Sequence, residues 1–213
     1  MNWFTKTVGS SIGKKLLMAV TGLCFCGFLA MHLAGNLAIY SGGDAFNMYA
    51  EKLHSLGALL TISEFGLLSF ALVHIGMGLL LFFENRKARP VSYAVKKNAG
   101  GQTFGAATMP YTGILTLAFV IMHLLNFSFI DKTDTKIFEI VSTKLSNPLY
   151  VFLYIAAMII VAVHVSHGFW SALQTLGANH PRYLQSIKTL GLVFSIIIAI
   201  GFGALPIYIS LRF

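Results

Sequence analysis

Charged side chains are what this chain has least of: 10% of its 213 residues are Asp, Glu, Lys or Arg, while 56% are hydrophobic. A soluble domain of this size needs more polar surface, so a water-soluble fold is excluded and an integral membrane protein is implied. Acids are scarcer than bases, seven against fifteen, giving a net charge of +8. The bases sit in short clusters between apolar runs, which points to membrane topology and away from nucleic acid. Cysteine is limited to Cys24 and Cys26. Both lie inside the first apolar run, on positions that point about 200° apart on a helix, so they do not converge on a metal. Two such thiols cannot hold an iron–sulfur cluster, and both read as packing residues.

What the chain has in quantity is long apolar segments. Five are long enough to cross a bilayer, at about 20 residues each, and run approximately 16–40, 61–83, 109–130, 149–175 and 189–210. The punctuation agrees. Ser41-Gly42-Gly43 ends the first, Arg86 to Pro90 follows the second, Pro110 opens the third, Asn147-Pro148 opens the fourth and Gly177 closes it. The first run follows Lys6, Lys14 and Lys15, as a signal peptide would, but it is too long for an h-region and reads as a retained span. The stretch from Asp44 to Leu60 is amphipathic and reads as a short surface helix. No linker of domain-boundary character interrupts the chain, so 1–213 reads as one all-α, five-span bundle.

Lys and Arg set the orientation. The N-terminal tail (Lys6, Lys14, Lys15), the loop after span two (Arg86, Lys87, Arg89, Lys96, Lys97) and the loop after span four (Arg182, Lys188) share one side, with ten basic residues and one acid, Glu84. The other side carries Lys52, Lys132, Lys136, Lys144 and Arg212 against six acids. The positive-inside rule puts the N-terminus in the cytoplasm and Phe213 outside, in a multi-pass protein of the inner (cytoplasmic) membrane.

Four histidines, His32, His74, His123 and His164, each stand in the apolar body of a different span. An ionisable side chain in hydrocarbon costs several kcal/mol, so four placed this regularly call for a shared reason. Counting helical rise to the nearest polar boundary puts His32 about 13 Å and His123 about 12 Å from the outer edge. The same count puts His74 about 18 Å and His164 about 20 Å from the inner edge. The four therefore sort into an outer pair and an inner pair. Paired imidazoles from facing helices are how a bundle holds haem iron, so two bis-histidine haems stacked across the membrane are expected. No Cys-x-x-Cys-His is present, so the haems would be of the non-covalent b type. His167 lies three residues after His164 on nearly the same face, and depth alone leaves it as an alternative ligand or a propionate contact. Lone histidines in spans also serve as interhelical hydrogen-bonding groups, but four on four helices, level in pairs, favour ligation. His54 and His180 fall in surface segments. Gly35, Gly76, Gly78, Gly113 and Gly168 lie near the histidines, where small residues admit close helix contact or a flat cofactor.

The segments TGLCFCGFLAMHLAGN, HIGMGLL, TGILTLAFVIMH and HVSHGFWSALQTLG resemble the cytochrome b subunit of succinate dehydrogenases and fumarate reductases, in its single-subunit, five-helix, dihaem form. The resemblance covers essentially the whole chain, with span five the least distinctive. It implies an inner haem on His74 and His164 and an outer haem on His32 and His123. The family's glycine four residues after the span-four ligand is here Gly168, which favours His164 over His167. Some relatives carry a carboxylate two residues before that ligand. Ala162 stands there in this chain, which puts a proton route at that point in doubt. The resemblance further implies a flavoprotein subunit with FAD and an iron–sulfur subunit docked on the cytoplasmic face. Electrons would pass between those clusters, the two haems and a membrane quinone, with menaquinone expected rather than ubiquinone.

A quinone site needs an apolar slot, a hydrogen-bond donor and a group that trades protons with water. Near the outer pair the candidates are Glu51, His54 and Glu64, with Asn36 one turn beyond His32. Lys14, Lys15 and Ser10 are the candidates to reach an inner propionate. Two rival readings stand beside this one. The first is the cytochrome b anchor of another quinone-linked complex, such as a hydrogenase or formate dehydrogenase. The second is a non-redox transporter whose histidines relay protons, although the spans lack the broken half-helices typical of such folds.

Overall fold

The computed structural model describes residues 2–88 and 103–213. Arg89, Lys96 and Lys97, part of the basic cluster after span two, lie outside the described residues. Among the described residues all regular structure is helical: α1 (Trp3–Gly9), α2 (Ser11–Asn36), α3 (Gly43–His54), α4 (Ala58–Lys87), α5 (Phe104–His123), α6 (Ile137–Leu145), α7 (Pro148–Thr175) and α8 (Pro181–Arg212). Five of them, α2, α4, α5, α7 and α8, are long and apolar enough to cross a membrane. α2 continues through a 3-10 turn at Leu37–Ser41, and α5 through a π turn at Leu124–Ser128.

Caps explain where the spans begin. The Ser10 hydroxyl accepts the Gly13 N–H at 3.0 Å and opens α2. Thr103 accepts the Ala106 N–H at 3.1 Å and opens α5. Asn147 and His180 cap α7 and α8, each followed by a proline at the first helical position, where its fixed φ and missing N–H cost nothing. Two expected boundaries are corrected by these caps. Pro110 does not open the third span; it lies inside α5, downstream of the Thr103 cap. The fifth span starts not near 189 but at Pro181, so Arg182 and Lys188 sit on the first turns of α8 rather than in a loop. Gly177 does close α7, at φ +102°, a left-handed conformation glycine adopts without strain.

α7 is the centre of the bundle, packing on α8, α5 and α2, while α4 leans mainly on α2. One buried cluster joins Cys26 and Leu33 of α2 to Ala157, Met158, Val161 and Val165 of α7 and Ile198 of α8. A second, at the far end, gathers Ile39, Phe46, Leu145, Tyr154, Leu205 and Ile209. Outside these clusters large apolar side chains point outward on the long helices, for example Ile62 at 67%, Phe152 at 66% and Ile200 at 66% exposure. Apolar faces this continuous are stable in lipid and not in water. The chain is a multi-pass membrane protein.

The expected surface helix is α3, ending at His54, and the turn after it uses Gly57 at φ +53°. α6 was not anticipated from the sequence. The two pack together across the end of the bundle, where the buried Asn47 Oδ1 accepts the Phe138 N–H at 3.0 Å. Gly43 lets the Phe138 ring lie against α3, since a Cβ there would meet it at 2.7 Å. Asn47→Ala strands a partly buried N–H at the start of α6 and is expected to cost about 1–3 kcal/mol. Thermal unfolding of the detergent-solubilised protein measures this, and an unchanged midpoint would show that the α3–α6 cap contributes nothing.

Candidate functional site

The rings that depth counting paired are the rings in contact. His32 of α2 faces His123 of α5, with centroids 5.9 Å apart and planes at 87°. His74 of α4 faces His164 of α7, with centroids 6.5 Å apart and planes at 73°. Imidazole nitrogens bind first-row metals at about 2 Å, so a metal held between two of them puts the ring centroids roughly 6 Å apart. Both pairs have that spacing.

Each pair lies among aromatic side chains. Phe28 stacks on His32 at 5.2 Å and 13°, and Phe202 of α8 lies 5.5 Å from it. Around His123 stand Phe119, Phe127 and Tyr154, at 5.8, 5.2 and 6.1 Å. The π turn begins directly after His123. Its extra residue per turn carries Phe127 to the histidine and Asn126 to Tyr154, whose hydroxyl takes the Asn126 amide at 3.3 Å. At the other level Phe25 meets His74 edge-on at 5.8 Å.

The ring nitrogens are held differently at the two levels. His74 Nδ1 lies 3.1 Å from the Met18 carbonyl and 3.1 Å from Thr21 Oγ1, both on α2. A carbonyl only accepts, so His74 carries its proton on Nδ1 and keeps the Nε2 lone pair. His164 Nδ1 lies 3.2 Å from Thr112 Oγ1 on α5. Among the described residues His123 Nδ1 is buried with no partner, and so is Thr116 Oγ1 two turns earlier on the same face of α5. Unpaired polar atoms in a membrane interior are costly, and two on one face mark a place built to meet something.

Two imidazoles are too few for a metal held by protein alone, and no group of three or more His, Cys, Asp or Glu is placed to hold one among the described residues. A metal seated between either pair must bring its other ligands with it, as haem iron does in its porphyrin. The donor set fits haem.

His167 is turned elsewhere. Its Nδ1 lies 3.3 Å from Thr103 Oγ1, and its ring meets Trp170 edge-on at 4.9 Å, with Lys188 Nζ over that indole at 4.9 Å. These groups line a cleft of about 250 Å³ between the start of α5, α7 and α8. His164, not His167, meets His74. Glu51, His54 and Glu64 are exposed, on α3 and the start of α4, at the same end of the bundle as the His32–His123 pair. His54 Nδ1 donates to the Ala50 carbonyl at 2.7 Å, while Asn36 Nδ2 donates to the His32 carbonyl at 2.8 Å. Ser10 is occupied as a helix cap, and Lys14 pairs with Glu84, joining the ends of α2 and α4.

Sequence reasoning missed Thr21 and Thr112. Their signal was present: a Thr-Gly pair precedes the histidine by the same distance in spans one and three. Gly113, expected to serve His123, instead lies against His164, and Gly22, which was not singled out, lies against His74. A Cβ on Gly113 would lie 3.3 Å from Cε1 of His164, and one on Gly22 would lie 3.1 Å from Cε1 of His74. A Cβ on Gly76 would meet nothing within 4 Å among the described residues, and Gly35 admits the ring of Tyr49. Comparison with protein-family models, curated proteins and solved structures finds no match for this chain.

Proposed function

We propose that this chain is the dihaem cytochrome b membrane subunit of a succinate:quinone oxidoreductase or quinol:fumarate reductase. One observation carries the dihaem reading: four histidines from four spans form two facing pairs, at 5.9 and 6.5 Å, each with the spacing of a bis-imidazole iron site. The succinate or fumarate assignment rests on the resemblance of the four histidine-bearing segments. His74 and His164 would hold the inner haem, and His32 and His123 the outer one. Bound there, haem iron supplies a one-electron carrier whose potential the protein tunes.

The chain's own residues supply the rest. The lipid-facing spans keep water from the ring pairs, and the aromatic side chains around His32 and His123 lower the local dielectric. The end carrying Lys6, Lys14, Lys15, Arg86, Lys87, Arg182 and Lys188 has only Glu84 among the described acids, which suits a cytoplasmic surface and the docking of an iron–sulfur subunit with its flavoprotein. At the opposite end Glu51, His54 and Glu64 are the proton-trading groups for quinone, with menaquinone the expected substrate.

A reduced-minus-oxidised spectrum with haem quantified per chain tests the centre of this reading. Two b-type haems support it, and none would bring the proton-relay transporter forward. Co-purification of a flavoprotein with succinate or fumarate activity separates it from the anchor of another quinone-linked complex. Glu51→Gln and His54→Asn are expected to slow quinol turnover severalfold while both haems stay bound. Normal turnover in both variants would move the quinone site elsewhere.

A further inference from the structure

Spans one and three share more than a histidine. Met18-x-x-Thr21-Gly22 leads to Met31-His32, and Met109-x-x-Thr112-Gly113 leads to Met122-His123, at identical spacing. Spans two and four answer with His74-x-x-x-Gly78 and His164-x-x-x-Gly168. The contacts between them repeat as well. Thr21 meets His74 and Thr112 meets His164. The glycine after each threonine abuts Cε1 of the same histidine. The methionine three residues before each threonine lies over the matching glycine, Met18 at 3.9 Å from a Cβ on Gly78 and Met109 at 3.6 Å from one on Gly168. The α2–α4 and α5–α7 pairs repeat one set of contacts, with the difference that His74 also reaches the Met18 carbonyl.

Eleven residues separate each threonine from the histidine of its own helix, three turns plus about 20°, so both lie on one face roughly 16 Å apart. A helix that gives a histidine to the outer pair therefore gives a hydroxyl to the inner pair. Each hydroxyl already has an outlet for its proton: Thr21 on the carbonyls of Leu17 at 2.7 Å and Met18 at 3.2 Å, Thr112 on those of Thr108 at 3.1 Å and Met109 at 3.2 Å. Each oxygen is left to accept from the imidazole.

On the dihaem reading, on which this rests, we infer that Thr21 and Thr112 are matched positioning residues of the inner site. Each accepts the Nδ1–H of the histidine on the next span, Thr112 that of His164 and Thr21, together with the Met18 carbonyl, that of His74, which orients both rings and leaves their Nε2 lone pairs free for a metal. The outer site has no such hold on His123, whose Nδ1 has no partner among the described residues. A hydrogen-bonded Nδ1–H makes imidazole a more basic ligand and stabilises the oxidised metal. Losing the bond should raise the inner potential and loosen the haem.

Potentiometric titration of purified Thr21→Val and Thr112→Val proteins tests this. The expected result is an upward shift of one haem's midpoint, smaller for Thr21→Val, where the Met18 carbonyl still accepts from His74, and largest in the double variant, with the other haem unmoved. Inner haem affinity should fall about tenfold, and Thr21→Ser and Thr112→Ser should restore wild-type values. Wild-type midpoints in both valine variants would overturn the assignment. A wild-type protein that binds no haem would overturn the dihaem reading itself, and the assignment with it.

Discussion

His74→Ala, purified in detergent, is expected to carry one haem per chain where the proposed dihaem wild type carries two, and His164→Ala is expected to lose the same one. His32→Ala and His123→Ala are expected to lose the other. The reason is that each proposed centre would have only two protein ligands, one ring of each facing pair, so one imidazole would not hold what two hold. The sharper form of the prediction uses double variants. His74→Ala/His164→Ala removes both ligands of one centre and loses no more than either single change, because the centre is already gone. His74→Ala/His123→Ala takes one ligand from each centre and loses both haems. Such non-additivity within a pair and additivity across pairs is the signature of two independent sites. Haem assay by pyridine haemochrome against protein mass gives the count. A haem retained in the second double variant would break the pairing.

Gly22→Val and Gly113→Val are expected to empty the inner site while the outer one stays filled. A single Cβ at these positions would stand 3.1 Å from Cε1 of His74 and 3.3 Å from Cε1 of His164, so even alanine pushes each ring by a few tenths of an ångström. Metal–ligand distances tolerate about 0.2 Å, and the two further methyls of valine exceed that while costing roughly 1–3 kcal/mol of overpacking. Alanine at either position should weaken inner haem binding without abolishing it. Gly76→Ala is the control: nothing lies within 4 Å of its Cβ, although Gly76 is only two residues from His74. It should leave both haems bound, and helix propensity favours it by about 1 kcal/mol. If Gly22→Val and Gly76→Ala behave alike, the glycines are not spacing the rings.

Much of the architecture was legible in the sequence because it is written in quantities that add along the chain. Hydropathy over about 20 residues counts the spans, and rise per residue assigns depths, so the four histidines could be sorted into two levels before any contact was known. Caps were partly legible: Asn147-Pro148 and Gly177 read correctly, while Pro110 misled, because a proline within an apolar helix is tolerated where neighbouring groups satisfy the freed carbonyl. α6 was invisible. Nine residues in a charged loop carry too little periodicity to separate a helix from a turn.

Sequence alone determined that five segments are long and apolar enough to cross a membrane, and it sorted the four histidines into the two pairs whose rings face each other. The tertiary structure decided the rest. It set which of His164 and His167 meets His74, which threonines lie against the His74 and His164 rings, which glycines let them approach, and that His123 Nδ1 has no partner among the described residues. These depend on how each helix is rotated about its axis and where it crosses its neighbour, for residues more than fifty positions apart. Hydropathy fixes how deep a side chain lies but is blind to that rotation. Only packing against α7 and α2 sets it.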